Sequence, residues 1–94
     1  MRLCCMGSMK HPVLLIDQHP VACAGLAALI NRSPDFEVCA TAMTRADCFR
    51  CMQGSPAALI VMEIAIGDMD SFELIRHFAQ MLPNTPILVF STLS

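Results

Sequence analysis

The sequence predicts an α/β domain built on a parallel β-sheet, and three observations predict it. Apolar runs of five to seven residues recur at 12–16, 36–42, 57–63 and 86–91. Segments with helical spacing separate consecutive runs, giving β-α-β-α-β-α-β. The connections are short, with no linker, repeat or low-complexity stretch, so one layered domain accounts for the whole pattern.

The first run, "PVLLI" (12–16), ends in the polar turn "DQHP" and reads as a buried parallel strand. "PVACAGLAALINRSP" (20–34) reads as a helix, with Pro20 in its first turn, Ser33-Pro34 as its stop and Ala22, Leu26, Leu29 and Ile30 on one face. "FEVCATA" (36–42) is the second strand. "TRADCFRCMQG" (44–54) is a short helix with Thr44 as N-cap and Gly54 at its end. "AALIVME" (57–63) is apolar on both faces and therefore central. After the loop "IAIGDMD", the segment "SFELIRHFAQML" (71–82) is amphipathic, capped by Asp70 or Ser71, with Leu74, Ile75, Phe78 and Leu82 inward. "PILVFS" (86–91) is the fourth strand.

Composition narrows the function. The chain has 94 residues, 55% of them hydrophobic and 15% charged, which excludes disorder. A net charge of −2, no Trp or Tyr and scattered basic residues argue against direct nucleic-acid binding. No apolar run reaches the ~20 residues of a membrane span. Residues 1–11 read as a disordered or leader segment without a signal peptide's apolar region, and Met9 reads as a late start. The domain is placed at 12–94, in the cytoplasm. There the six cysteines read as reduced, small hydrophobes. "CFRC" (48–51) has redox spacing, but it lies inside a helix rather than opening one after a strand, so no redox or metal role is assigned to it.

Ligand sites in open parallel sheets form at the carboxyl ends of the strands. That rule selects Asp17 and Gln18 after the first strand, Glu63 closing the third, and Ser91-Thr92 after the fourth. No G-x-G-x-x-G loop follows the first strand, so a dinucleotide site is excluded. Glu63 is a lone carboxylate in an apolar run, where burial is expensive. Asp17 is open to a second reading, as a carboxylate at a helix N-terminus. Asp68 and Asp70 read as helix caps, Ser91 equally as a plain strand-end hydroxyl, His19 as a turn former with Pro20, and His11 and His77 as solvated.

Three stretches carry a family resemblance in register, spanning about residues 12–92. "VLLIDQHP", "LIVMEIAIGDMDSFEL" and "PNTPILVFST" resemble the signatures of response regulator receiver domains of two-component systems, most like LuxR/NarL-type transcription regulators. The resemblance implies a flavodoxin-like fold with strand order 2-1-3-4. It places Glu63 at the phospho-acceptor position, Asp17 and Gln18 in the acidic pocket, and Ser91 at the switch hydroxyl. It also implies Mg²⁺ held by Asp17, Glu63 and the Ala65 carbonyl, and a histidine kinase, phosphotransfer domain or full-length regulator as partner.

The departures matter as much. The family's acceptor is an Asp, and the extra methylene of Glu63 carries the carboxylate more than about 1 Å outward. Misplacement by ~1 Å can cost about a hundredfold in a positioned reaction. Gln18 replaces a second acid, so Mg²⁺ should bind weakly. Gly67-Asp68 replaces the loop's Pro-Gly, Ser71 replaces its last Gly, and the chain lacks the fifth strand and last helices. The expected function is that of a degenerate receiver module acting by protein contact, neither phosphorylated nor an enzyme. Glu63 is then a decayed acceptor or a fixed stand-in for the phosphorylated Asp. The alternatives are a receiver phosphorylated on Glu63 with weak Mg²⁺, or a non-functional fragment of a DNA-binding regulator. The apolar fourth strand is expected at the sheet edge, where it invites a homodimer.

Overall fold

The computed structural model describes residues 10–53, 57–64 and 71–90, with the side chains of Met52 and Ser71 excepted. Seven elements follow in order: β1 (His11–Ile16), α1 (Pro20–Asn31), β2 (Phe36–Ala42), α2 (Arg45–Gln53), β3 (Leu59–Glu63), α3 (Ser71–Met81) and β4 (Ile87–Phe90). The strands form one parallel sheet in the order β2-β1-β3-β4. This is the predicted α/β architecture, with strand boundaries within two residues of those expected from sequence.

Alternation along each strand sends side chains to opposite faces. On one face Leu14, Ile16, Ala42, Ile60 and Met62 pack with Cys48 of α2 and with Leu74 and Phe78 of α3. Phe78 is fully buried there, and Ile75 and Leu82 pack partly buried against the same core, as their spacing predicts. The Arg45–Glu73 ion pair and an edge-on contact between Phe49 and His77, 4.9 Å between ring centres, tie α2 to α3. His77 is therefore a half-buried packing residue and not a solvated one, whereas His11 is exposed as expected.

On the other face Val13, Leu15, Val38 and Val61 pack with Cys23 of α1, joined by Leu26, Ala27 and Ile30. The inward stripe of α1 is thus rotated from the one expected. Cys23 is buried, while Ala22 is exposed and Leu29 is 63% exposed. An almost uniformly apolar helix carries little phase information, so the angle at which it meets the sheet decides its inner face.

Two side chains close local hydrogen bonding. Thr44 Oγ1 accepts from the Asp47 amide at 3.1 Å, confirming it as the cap of α2. Asn31 Oδ1 accepts from the Val38 amide at 2.7 Å, tying the end of α1 to β2. The β1–β2 register slips between Val13 and Leu14, passing over Cys39, whose thiol donates to the Val13 carbonyl at 3.4 Å. Among the described residues, no helix is long and apolar enough to cross a membrane.

Candidate functional site: a carboxylate pair bridged by an imidazole

The sheet register sets the site. Ile16 of β1 pairs with Met62 of β3, so the next residues, Asp17 and Glu63, leave the sheet at the same level. The Asp17 amide donates to the Ala42 carbonyl at 3.0 Å, and the Ile64 amide to Phe90 at 2.9 Å. These bonds hold both strand ends to their outer neighbours. Alternation puts the two acids on the α1 side, in line with Leu15 and Val61. Both are buried, Asp17 at 0% and Glu63 at 1% exposure.

Asp17 does not cap α1 in the usual manner. Its Oδ1 accepts from the His19 amide at 2.9 Å, a turn two residues long, and His19 itself is the N-cap residue of α1. This turn swings the imidazole back over the strand ends. His19 Nδ1 comes to 3.1 Å from Asp17 Oδ1 and 3.3 Å from Glu63 Oε1. The His19 side chain remains 55% exposed, so one edge of the ring stays in water. Asp17 Oδ2 is buried and has no hydrogen-bond partner among the described residues.

The electrostatics follow from this bridge. The hydrogen bond to Asp17 is the largest effect on His19 and raises its pKa above 6.5. The charge and hydrogen bond of Glu63 act in the same direction, while desolvation opposes them. A proton on His19 offsets the charge of two buried carboxylates. The presence of Glu63 in an apolar run thus has a local answer: the strand end buries a carboxylate beside a ring able to carry a positive charge.

Sequence reading found Asp17 and Glu63, and it ranked His19 as a turn former well ahead of a metal ligand. The available signal was an acid and an imidazole two residues apart at a strand end. Gln18 is half-buried beside them. Ala65, Asp68, Asp70 and Ser91 lie outside the described residues, as does Gly54.

The topology, the strand-end acids and the three sequence stretches converge on one family, and the model of the response regulator receiver domain matches residues 13–94. The chain belongs to the response regulator receiver family. The receiver is 30% identical over 80 residues to the transcriptional regulatory protein LiaR of Bacillus subtilis, covering 85% of this chain and 38% of that protein. It is 27% identical over 82 residues to the uncharacterized transcriptional regulatory protein YhcZ of the same organism, covering 87% of this chain and 38% of that one. The receiver thus spans 38% of the length of either curated relative. A crystal structure of a LuxR-family two-component response regulator from Aurantimonas superposes with a TM-score of 0.81 at 26% identity, covering 90% of this chain and 61% of that one.

A receiver's acidic pocket implies a divalent cation, and Mg²⁺ requires a particular donor set. Two carboxylates and the partnerless Asp17 Oδ2 offer negative oxygen, as a cation needs. The third ligand atom of the cluster, however, is a His19 nitrogen, and all three ligand atoms lie within 4.8 Å of one another. Mg²⁺ demands a near-octahedral set of oxygen ligands, and Gln18 contributes a neutral oxygen at best. Among the described residues, the donor set fits Mg²⁺ poorly.

Proposed function

We propose that this receiver is a degenerate module of a bacterial two-component phosphorelay that acts by protein contact and is not phosphorylated. The observation that supports this most is the state of Glu63. It stands at the end of β3, buried, with its carboxylate against His19 rather than open to a phosphodonor. An acceptor needs an oxygen placed for in-line attack and a cation beside it to neutralise the developing charge. Here the longer side chain and the bridging ring oppose the first need, and Gln18 weakens the second. The module is accordingly not an enzyme, and Mg²⁺ binds weakly at most. Cytoplasmic partners, with no direct nucleic-acid contact, follow from the same reading.

The contact surface is the exposed side of α1. Pro20–Asn31 contains no charged residue, and Val21 is 87% and Leu29 63% exposed. A helical surface of this kind suits the apolar face of a histidine-kinase dimerisation domain, a phosphotransfer domain or a full-length regulator. Intact-mass measurement after treatment with a small acyl phosphate and Mg²⁺ tests the first half of the proposal. No added phosphoryl group is expected, and stoichiometric phosphorylation abolished by Glu63→Gln would overturn it.

A second copy is a further candidate partner, favoured by β4. Among the described residues β4 is the outer strand of the sheet, apolar throughout, with Leu88 57% and Val89 38% exposed. Light scattering that gave a monomer across the accessible concentration range would contradict pairing at this edge.

A further inference from the structure

We propose that Cys48 and Cys51 form a reversible disulfide within α2 when a peroxide oxidises the chain, and that its closure loosens the contact between α2 and α3. The proposal is independent of whether Glu63 accepts a phosphoryl group.

The two thiols share one face of one helix. α2 runs Arg45–Gln53, which puts Cys51 in its last turn, one helical turn beyond Cys48. Both pack against the same core, Cys48 fully buried and Cys51 half-buried, and both are free thiols. Helical geometry sets residues at this spacing about 5 Å apart between Cα atoms, inside the ~4.4–6.8 Å that a disulfide spans. Their Cβ atoms stand about 5–6 Å apart, and a disulfide needs ~3.5–4.5 Å. Tightening the last turn from α to 3₁₀ supplies the difference, because side chains at i and i+3 then eclipse. Helix ends adopt that turn readily.

Burial divides the roles. Cys51 is reached from solvent, while Cys48 is sealed from reagents and meets its helical neighbour. Desolvation pushes the Cys48 thiol up to about 11, which protects it from direct oxidation and leaves it the resolving partner. Cys51 sulfur attacks one peroxide oxygen and becomes a sulfenic acid; the O–O bond breaks, and the thiol proton leaves with the released hydroxide as water. Cys48 sulfur then attacks Cys51 sulfur; the S–O bond breaks, and the Cys48 proton leaves with that hydroxide as a second water. Two thiols and one hydrogen peroxide thus give one disulfide and two waters. A bond closed against its own helix is strained and easily reduced, which makes it reversible.

The bridge acts on α3 through Phe49. This ring lies between the two cysteines in sequence and meets His77 edge-on at 4.9 Å, in the same contact as the Arg45–Glu73 pair. Retwisting the turn from Cys48 to Cys51 carries Phe49 off His77.

The test treats the reduced 94-residue chain with hydrogen peroxide and maps it with trypsin. Cleavage after Arg50 falls between the two cysteines, so the bridge joins peptides 46–50 and 51–76, short by two hydrogens and separated again by glutathione. This joined pair should dominate the disulfides of Cys51, and the His77 ring signals should shift while those of His11 stay. Cys51→Ser, at a half-buried position, should abolish the joined pair and the His77 shift together. Cys51 joined instead to another cysteine, Cys51 oxidised to sulfinic acid with Cys48 still a thiol, or an unmoved His77 ring in the bridged chain would each overturn the proposal. So would a bridge left intact by a large excess of glutathione.

Discussion

His19 Nδ1 lies 3.3 Å from Glu63 Oε1, so a residue three positions beyond β1 supports the carboxylate that closes β3. The same nitrogen reaches Asp17, and the three side chains act as one electrostatic unit. In metal-free buffer, His19 should titrate above 6.5, and Asp17→Asn should lower its pKa most because that hydrogen bond is the largest effect. A raised pKa in the folded state means that the stability gained is full below 6.5 and is lost as pH rises through the folded value. Glu63→Gln should shift His19 in the same direction by less. NMR titration of the His19 ring in these variants is the measurement, and an unmoved pKa in Asp17→Asn would contradict the bridge.

Restoring the missing acid should strengthen Mg²⁺ binding. Gln18→Asp adds a carboxylate beside two others, and one further charged oxygen ligand should tighten Mg²⁺ by about tenfold or more. The same change should lower folding stability without the ion, since three carboxylates then repel one another. Calorimetric titration with Mg²⁺ and thermal unfolding with and without the ion check both halves.

The exposed side of α1 separates binding from folding. Val21→Glu and Leu29→Glu alter residues that are 87% and 63% exposed. Stability should change by no more than about 0.5 kcal/mol, as for surface sites generally. Binding to an isolated kinase dimerisation or phosphotransfer domain should fall by more than about tenfold, as apolar contact is replaced by a desolvated charge. Retained binding would remove α1 as the contact surface.

The core prediction centres on α3. Phe78 is fully buried and packs in one core with Leu74, Ile60 and Met62. Phe78→Ala should destabilise the domain by about 3–5 kcal/mol, a large share of the ~5–15 kcal/mol that holds a typical domain folded. Denaturant unfolding read by circular dichroism would show it.

Thiol reactivity should sort by burial. Desolvation pushes Cys48 up to about 11 and raises Cys23 more modestly, both from 9.0. Among the four described cysteines, alkylation at neutral pH should therefore spare these two and label half-buried Cys39 and Cys51 first. Because the folded pKa of Cys48 is raised, its contribution to stability is full below 9.0 and declines as pH climbs toward 11. Mass spectrometry of timed alkylation distinguishes the two classes.

The fold was legible because its signals are periodic and local. Apolar runs bounded by turns marked all four strands, and the alternation with helices left a parallel sheet as the simple arrangement. The Thr44 cap and the inward Leu74–Phe78 stripe were equally readable, since each depends on spacing within one element. The phase of α1 was not. Twelve residues rich in Ala and Leu offer several apolar stripes, and contact with Val13, Leu15 and Val38 selects the one through Cys23.

The site divides in the same way. That Asp17 and Glu63 stand at neighbouring strand ends follows from sequence, because the carboxyl ends of parallel strands share one edge of the sheet. Only the tertiary structure decided that the Asp17–His19 turn carries the imidazole over both carboxylates. A ring's direction depends on backbone torsions at the entry to α1 and on the register that sets Glu63 beside Asp17, and neither is written in residue spacing. The sequence by itself determined the family, the sheet and its two strand-end acids; folding in three dimensions decided which side chain stands between them.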